Sequence, residues 1–274
     1  MPISTRNFRK GLDLRIESGV AYLTLDRPES RNALSRELIE GLDDALEHLS
    51  INESVRVIVL GSTGSVFSSG HDLNELLKAN EAELKAIFGA CARMMKRLHT
   101  IPQPVVAWVQ GHAVAAGCQL VAACDLAVAA EQAAFSTPGI KIGLFCATPM
   151  IPLVRAIGPK SASEMVFTGQ PISANRALAL GLINRVASAE QLDSTIAQLI
   201  APILSASPDA IRTGKSIFWE TIELDEHEAY LAATETMITS ALSHDAKEGI
   251  SAFLEKRNPR WTADESVDLP EGDD

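Results

Sequence analysis

The chain reads as an α/β fold followed by a helical region, on three observations. Short β-branched runs at residues 55–60, 105–109 and 126–130 have the length and composition of buried strands. Apolar residues at helical spacing occur between such runs. Beyond Thr148 the β-branched runs vanish and helix-start signals multiply. A sheet covered by helices satisfies this order, because each element has one apolar face to bury. With 274 residues, 46% of them hydrophobic and 22% charged, the chain can build one large core and is too apolar to stay disordered.

Taken in order, residues 12–16 and 20–25 flank Glu17-Ser18-Gly19 and predict a hairpin. Ser35 stands before a helix whose apolar face is Leu38, Ile39, Leu42, Ala45 and Leu46, ending near His48. The runs 55–60 and 105–109 are closed by Gly61 and Gly111. Asp72 with Glu75, Ser161 with Glu164, and Ser188 with Gln191 have capping-box spacing, and Ser207 precedes Pro208 at a first helical position. The final stretch, 263–274, is acidic without an apolar period and predicts a solvated tail.

Charge and composition exclude several partners. A net charge of −11 repels phosphate backbones and anionic lipid surfaces, so neither nucleic acid nor membrane is expected. The longest apolar stretch, 113–130, contains Gln119 and Asp125 and belongs inside a protein. Cys91, Cys118, Cys124 and Cys146 form no C-x-x-C pair and no metal-type spacing, so no metal is expected; they read as reduced, buried thiols of a cytoplasmic protein. No apolar segment follows MPISTRNFRK, so a secretory signal is not expected.

The common nucleotide, zinc and serine-hydrolase motifs are missing. Two small-residue turns remain, each after a strand and feeding a helix: 66–76 (VFSSGHDLNEL) and 111–120 (GHAVAAGCQL). Gly70 permits a sharp bend just before a helix start, leaving N–H groups near residue 71 without partners. The second turn lets a ligand approach the backbone closely, at the positive end of a helix. Two such ends can share one anionic oxygen.

These turns, with LDRPESRNALS, the TPG string, FTGQPISANRALALGLINRV and AFLEKR, resemble the crotonase, or enoyl-CoA hydratase/isomerase, family over nearly the whole chain. The resemblance implies a spiral of ββα turns with an acyl-CoA cleft over residues 1–200, and a helical trimerisation region over 201–262. It implies a homotrimer or hexamer acting on an acyl-CoA thioester, with no cofactor besides the coenzyme A carried by the substrate. By the same resemblance, the N–H groups of His71 and Ala116 hold the thioester oxygen. Ser30, Arg31, Ser69, His71, Asp72, Leu73 and Pro138 line the cleft, with Phe253 and Lys256 reaching in from a neighbouring subunit. Read from the residues alone, Arg31 and Lys256 are either local positive charge for phosphates or solvated surface cations.

The departure lies in proton transfer. Where family hydratases carry two glutamates, this chain has Gln119 and Gly139. Glutamine cannot accept a proton near neutrality, and glycine offers no side chain. Losing two positioned proton-transfer groups costs roughly 5 to 11 kcal/mol of barrier. Cys146 reads either as a thiolate able to move protons or as a small core residue. The His71 imidazole is either a titrating group near the hole or packing for the turn. Asp72 reads first as a helix cap, and His112 as a local packing residue.

Overall fold

The computed structural model describes residues 3–262, with side-chain surroundings from residue 8 onward. The expected tail at 263–274 lies outside the described residues. The chain divides into two compact units, Met1–Ala201 and Pro202–Asp274.

The first unit opens with three antiparallel strands, β1 (Ile3–Arg9), β2 (Leu12–Glu17) and β3 (Val20–Leu25). The hairpin between β2 and β3 is where the sequence places it. Strand β1 was not anticipated, since ISTRNFR carries no apolar run; it forms by pairing with β2. Helix α1 (Arg36–Ser50) starts at Ser35, whose hydroxyl accepts the Leu38 N–H, and buries Leu38, Ile39, Leu42, Ala45, Leu46 and Leu49. Burying each Leu or Ile contributes about 1.5–3 kcal/mol.

Strand β4 (Val57–Ser62) begins two residues later than the run at 55 suggests and is buried along its whole length. Then come β5 (Val66–Ser68), the short helix α2 (Leu73–Lys78), α3 (Glu81–Thr100), β6 (Val105–Val109) and β7 (His112–Val114). Next are α4 (Ala116–Ala123), β8 (Leu126–Ala130), β9 (Ala134–Ser136), α5 (Ala147–Thr168), β10 (Ile172–Ser173), α6 (Ala174–Leu180), β11 (Arg185–Ala187) and α7 (Leu192–Ser205).

Two sheets result. A seven-stranded sheet has the order β1-β2-β3-β4-β6-β8-β11, parallel from β3 onward, and a four-stranded sheet has the order β10-β9-β7-β5. Each repeat sends one strand to the large sheet, one to the small sheet and then a helix, which is the ββα spiral that the resemblance implies. The turns between small-sheet strands and helices are therefore brought side by side, since β5, β7 and β9 are neighbours.

Two start signals behave differently from expectation. Ser161 lies inside α5; the chain bends instead at Gly158 (φ 74°, ψ 165°) and restarts at Pro159, whose missing N–H costs nothing in a first turn. Ser188 heads only a 3₁₀ turn over Ala189–Gln191, without a side-chain cap. Beyond Thr148 the chain is not wholly helical either, as β10 and β11 add edge strands too short to show a pattern.

The second unit packs α8 (Pro208–Thr221), α9 (Glu226–Leu242) and α10 (His244–Glu255) against one another. Ser207 caps α8 as expected, accepting the Ala210 N–H at 3.1 Å. Its hydroxyl also donates to Asp245 at 2.5 Å, and Asp245 accepts the N–H and hydroxyl of Thr262. Leu231, Met237, Ile238, Leu242, Phe253 and Leu254 leave α9 and α10 with an apolar surface in the single chain.

Candidate active site

Both small-residue turns arrive at one cavity, and each presents a main-chain N–H with no strand or helix to take it. In the first turn, Leu34 and His71 form an isolated parallel bridge. Its bonds run from the Leu34 N–H to the Gly70 carbonyl (2.8 Å) and from the Asp72 N–H to the Leu34 carbonyl (3.4 Å). His71 contributes neither group. Because a trans peptide holds its C=O and N–H in opposite directions, anchoring the Gly70 oxygen on Leu34 turns the His71 N–H away from Leu34.

The second turn repeats the device. The Ala115 carbonyl accepts the Gln119 N–H at 3.0 Å, the first bond of α4, and the Ala115 N–H donates to Ser136 at 2.8 Å. The Ala116 N–H belongs to the same peptide as that carbonyl, so it projects from the helix start, where no intrahelical partner exists. Ala115 has φ 50° and ψ −115°, a region that L-residues rarely occupy, and its side chain cannot cap the helix. The turns abut: a Cβ on Gly70 would lie 2.9 Å from the Ala115 Cβ and 3.1 Å from the Ala116 nitrogen. Glycine at 70, with φ +86°, is what allows the approach.

The cavity has a volume of about 440 Å³, and its wall includes Ser69, His71, Leu73, Ala116, Pro138 and Gly139 from the sequence-selected set. Phe88, Val114, Ile142, Leu144 and Phe145 add an apolar lining that sequence reading missed, since each resembles ordinary core there. No aspartate or glutamate lines it among the described residues. A larger cavity of about 520 Å³ lies between the seven-stranded sheet and α7, but holds none of the candidate site residues.

The remaining selected residues are placed as follows. Asp72 caps α2, its Oδ1 accepting the Asn74 N–H at 2.9 Å and the Glu75 N–H at 3.4 Å, while Glu75 accepts the Arg36 N–H rather than closing a capping box. Ser30 and Arg31 end a 3₁₀ turn over Pro28–Ser30, with Arg31 at φ 56° and its carbonyl accepting the Ser69 N–H. Neither lines the cavity. Gln119 is only 4% exposed, does not line the cavity, and its Oε1 has no hydrogen-bond partner among the described residues. Phe253 and Lys256 belong to the second unit, Phe253 being 82% exposed and Lys256 at φ 56° ending α10.

His71 packs its ring edge-on against Phe88, 5.2 Å between centroids, with both ring nitrogens shielded and without partners among the described residues. Burial holds its pKa below the ordinary histidine value, opposed by the nearby Leu34 main chain. Burial likewise pushes the Cys146 thiol up, opposed by the Gly139 main chain, so Cys146 is a poor thiolate. The Cys118 thiol is pushed up to about 12 by the same cause. All four cysteines are buried thiols outside any disulfide.

A ββα spiral with two orphan N–H donors over an apolar cavity defines a class, and the comparisons agree. Residues 15–264 match the family Enoyl-CoA hydratase/isomerase, and the chain belongs to it. It is 41% identical over 249 residues to mouse enoyl-CoA hydratase domain-containing protein 3, mitochondrial, covering 90% of this chain and 83% of the relative. The crystal structure of the human protein of that name superposes with a TM-score of 0.90 at 38% identity, covering 92% of this chain and all of that one. An enoyl-CoA hydratase structure from Mycobacterium smegmatis also reaches 0.90, at 43% identity, covering 92% and 98%. The 2,3-dehydroadipyl-CoA hydratase of Escherichia coli is 34% identical, covering 88% and 94%.

No helix among the described residues is long and apolar enough to cross a membrane. The vertebrate relatives carry the word mitochondrial in their names, so the expected cytoplasmic setting gains no support from them.

Proposed function

We propose that this protein binds an acyl-CoA thioester and polarises its carbonyl between the N–H groups of His71 and Ala116. The observation that carries the reading is the pair of anchored peptides, each with its carbonyl tied and its N–H free, at adjoining turns over an apolar cavity. Enolate or tetrahedral oxygen gains charge during thioester chemistry, and preorganised donors there contribute about 3–4 kcal/mol each. Ser69, Leu73 and Pro138 border the acyl and pantetheine path, and Asp72 fixes the first turn by capping α2. Arg31, whose carbonyl accepts the Ser69 N–H, and its neighbour Ser30 serve the nucleotide end.

The apolar surface of α9 and α10 supports self-association as a trimer or pair of trimers, through which Phe253 and Lys256 reach a neighbour's coenzyme A. Four buried thiols outside any disulfide suit a reducing compartment, and the cytoplasm is the one we propose.

Classical hydration is disfavoured, because the described residues of the cavity wall supply no carboxylate and Gln119 is not among them. That observation favours a second reading, in which the protein binds acyl-CoA without turning it over, or performs decarboxylation or thioester hydrolysis that the two donors alone can assist. Titration with butyryl-CoA and turnover of crotonyl-CoA test both. Micromolar binding with little hydration is the expected result. Failure to bind any acyl-CoA defeats the proposal, and hydration at ordinary hydratase rates defeats the doubt about proton transfer.

A further inference from the structure

Ser68 lies next to both donor turns, although no feature of its sequence position marks it. Its side chain is fully buried. The hydroxyl donates to the Asn32 carbonyl at 2.9 Å and accepts the Gly70 N–H at 3.2 Å. Asn32 is itself rigidly held: it is buried at φ 51°, its Oδ1 accepts the Arg27 N–H, and its Nδ2 donates to the Thr63 and Val66 carbonyls. On its other side Ser68 meets the second turn, since a Cβ on Gly117 would overlap the Ser68 carbonyl and lie 2.8 Å from its Cβ.

The Gly70 backbone, at φ +86°, has freedom that no side chain restrains. Two hydrogen bonds remove it. The Leu34 N–H holds the peptide that carries the His71 N–H, and the Ser68 hydroxyl holds the peptide before it. We propose that Ser68 is a positioning residue: its hydroxyl, fixed by Asn32, sets the direction of the His71 N–H, and its main chain sets the distance to the Ala116 turn. The proposal rests on the reading of those two N–H groups as the thioester site. A donor held in direction before substrate arrives needs no reorganisation as charge develops.

The test uses cinnamoyl-CoA, whose absorption moves to longer wavelength when its carbonyl is polarised. In Ser68→Ala the Kd is expected to change less than about threefold, while the red shift falls by at least about half, because the donor is displaced rather than deleted. Ser68→Thr, which keeps the hydroxyl, restores the shift. An undiminished shift in folded Ser68→Ala overturns the assignment and leaves the functional reading intact. Wild-type protein that binds neither cinnamoyl-CoA nor butyryl-CoA, or binds cinnamoyl-CoA with no shift, overturns the functional reading and the assignment with it. Should the variants not fold, or only butyryl-CoA bind, amide exchange in the wild type decides. The Gly70 amide is expected to be protected, and the His71 amide to exchange fast until a thioester binds. Equal exchange at both overturns the proposal.

Discussion

The Sγ of Cys146 occupies the space that a side chain on Gly139 would enter, 2.8 Å from where its Cβ would stand. The Leu144 carbonyl lies closer still. A side chain at position 139 therefore has no room within the packing of the 138–146 turn.

Gly139→Glu accordingly should not install a proton-transfer group. It is expected to cost about 1–3 kcal/mol or more, as overpacking does. Urea denaturation measures the loss, and crotonyl-CoA hydration should stay at the wild-type level. A stable variant with raised hydration would show that the turn relaxes easily.

At position 119 the obstacle is solvation. Gln119 is buried and its Oε1 already lacks a partner, so Gln119→Glu would place an unpaired carboxylate there. Its pKa in the folded state should rise above the unfolded value, so the fold binds the proton more tightly. The variant then loses stability as pH climbs past the ordinary glutamate range, by about 3–5 kcal/mol at neutral pH. Thermal melts of variant and wild type between acid and neutral pH should diverge on the neutral side.

His71 has the opposite sign. Its folded-state pKa is lowered by burial, so the unfolded chain binds the proton more readily. The neutral ring's contribution to stability is complete above the unfolded value, about 6.5, and declines as pH falls below it. In His71→Phe, which retains the ring packing against Phe88, this part of the acid sensitivity should disappear from the pH dependence of urea midpoints.

In the second unit, burial of Asp245 would raise its pKa, but hydrogen bonds from Ser207 and Thr262 outweigh it and hold the carboxyl below the ordinary aspartate range. Its stabilisation is present above the unfolded pKa and is lost as pH drops through the lower folded one. Asp245→Ala leaves the buried Ser207 hydroxyl, and the N–H and hydroxyl of the exposed Thr262, without their carboxylate partner. A loss of about 2–4 kcal/mol is expected by denaturant titration at neutral pH.

Much of this molecule is written in local pattern. The strands at 105–109 and 126–130 end where their apolar runs end, Ser35 and Ser207 cap the helices they precede, and the two small-residue turns feed α2 and α4. Period, turn chemistry and capping act between near neighbours, so the local order of residues reveals them. A local signal is also overruled by a stronger one beside it: Ser161 has a cap's spacing yet sits within a helix, because Gly158 and Pro159 just before it set the break.

Only folding joins the turns. The neighbouring order of β5, β7 and β9 carries residues 70 and 116 together, Leu34 and Gln119 aim their peptides, and Cys146 fills the ground beside Gly139. Hydrogen-bond direction and excluded volume between segments tens of residues apart have no local imprint, so Ser68, the apolar lining and the inaccessibility of Gln119 emerge from packing rather than from the order of residues.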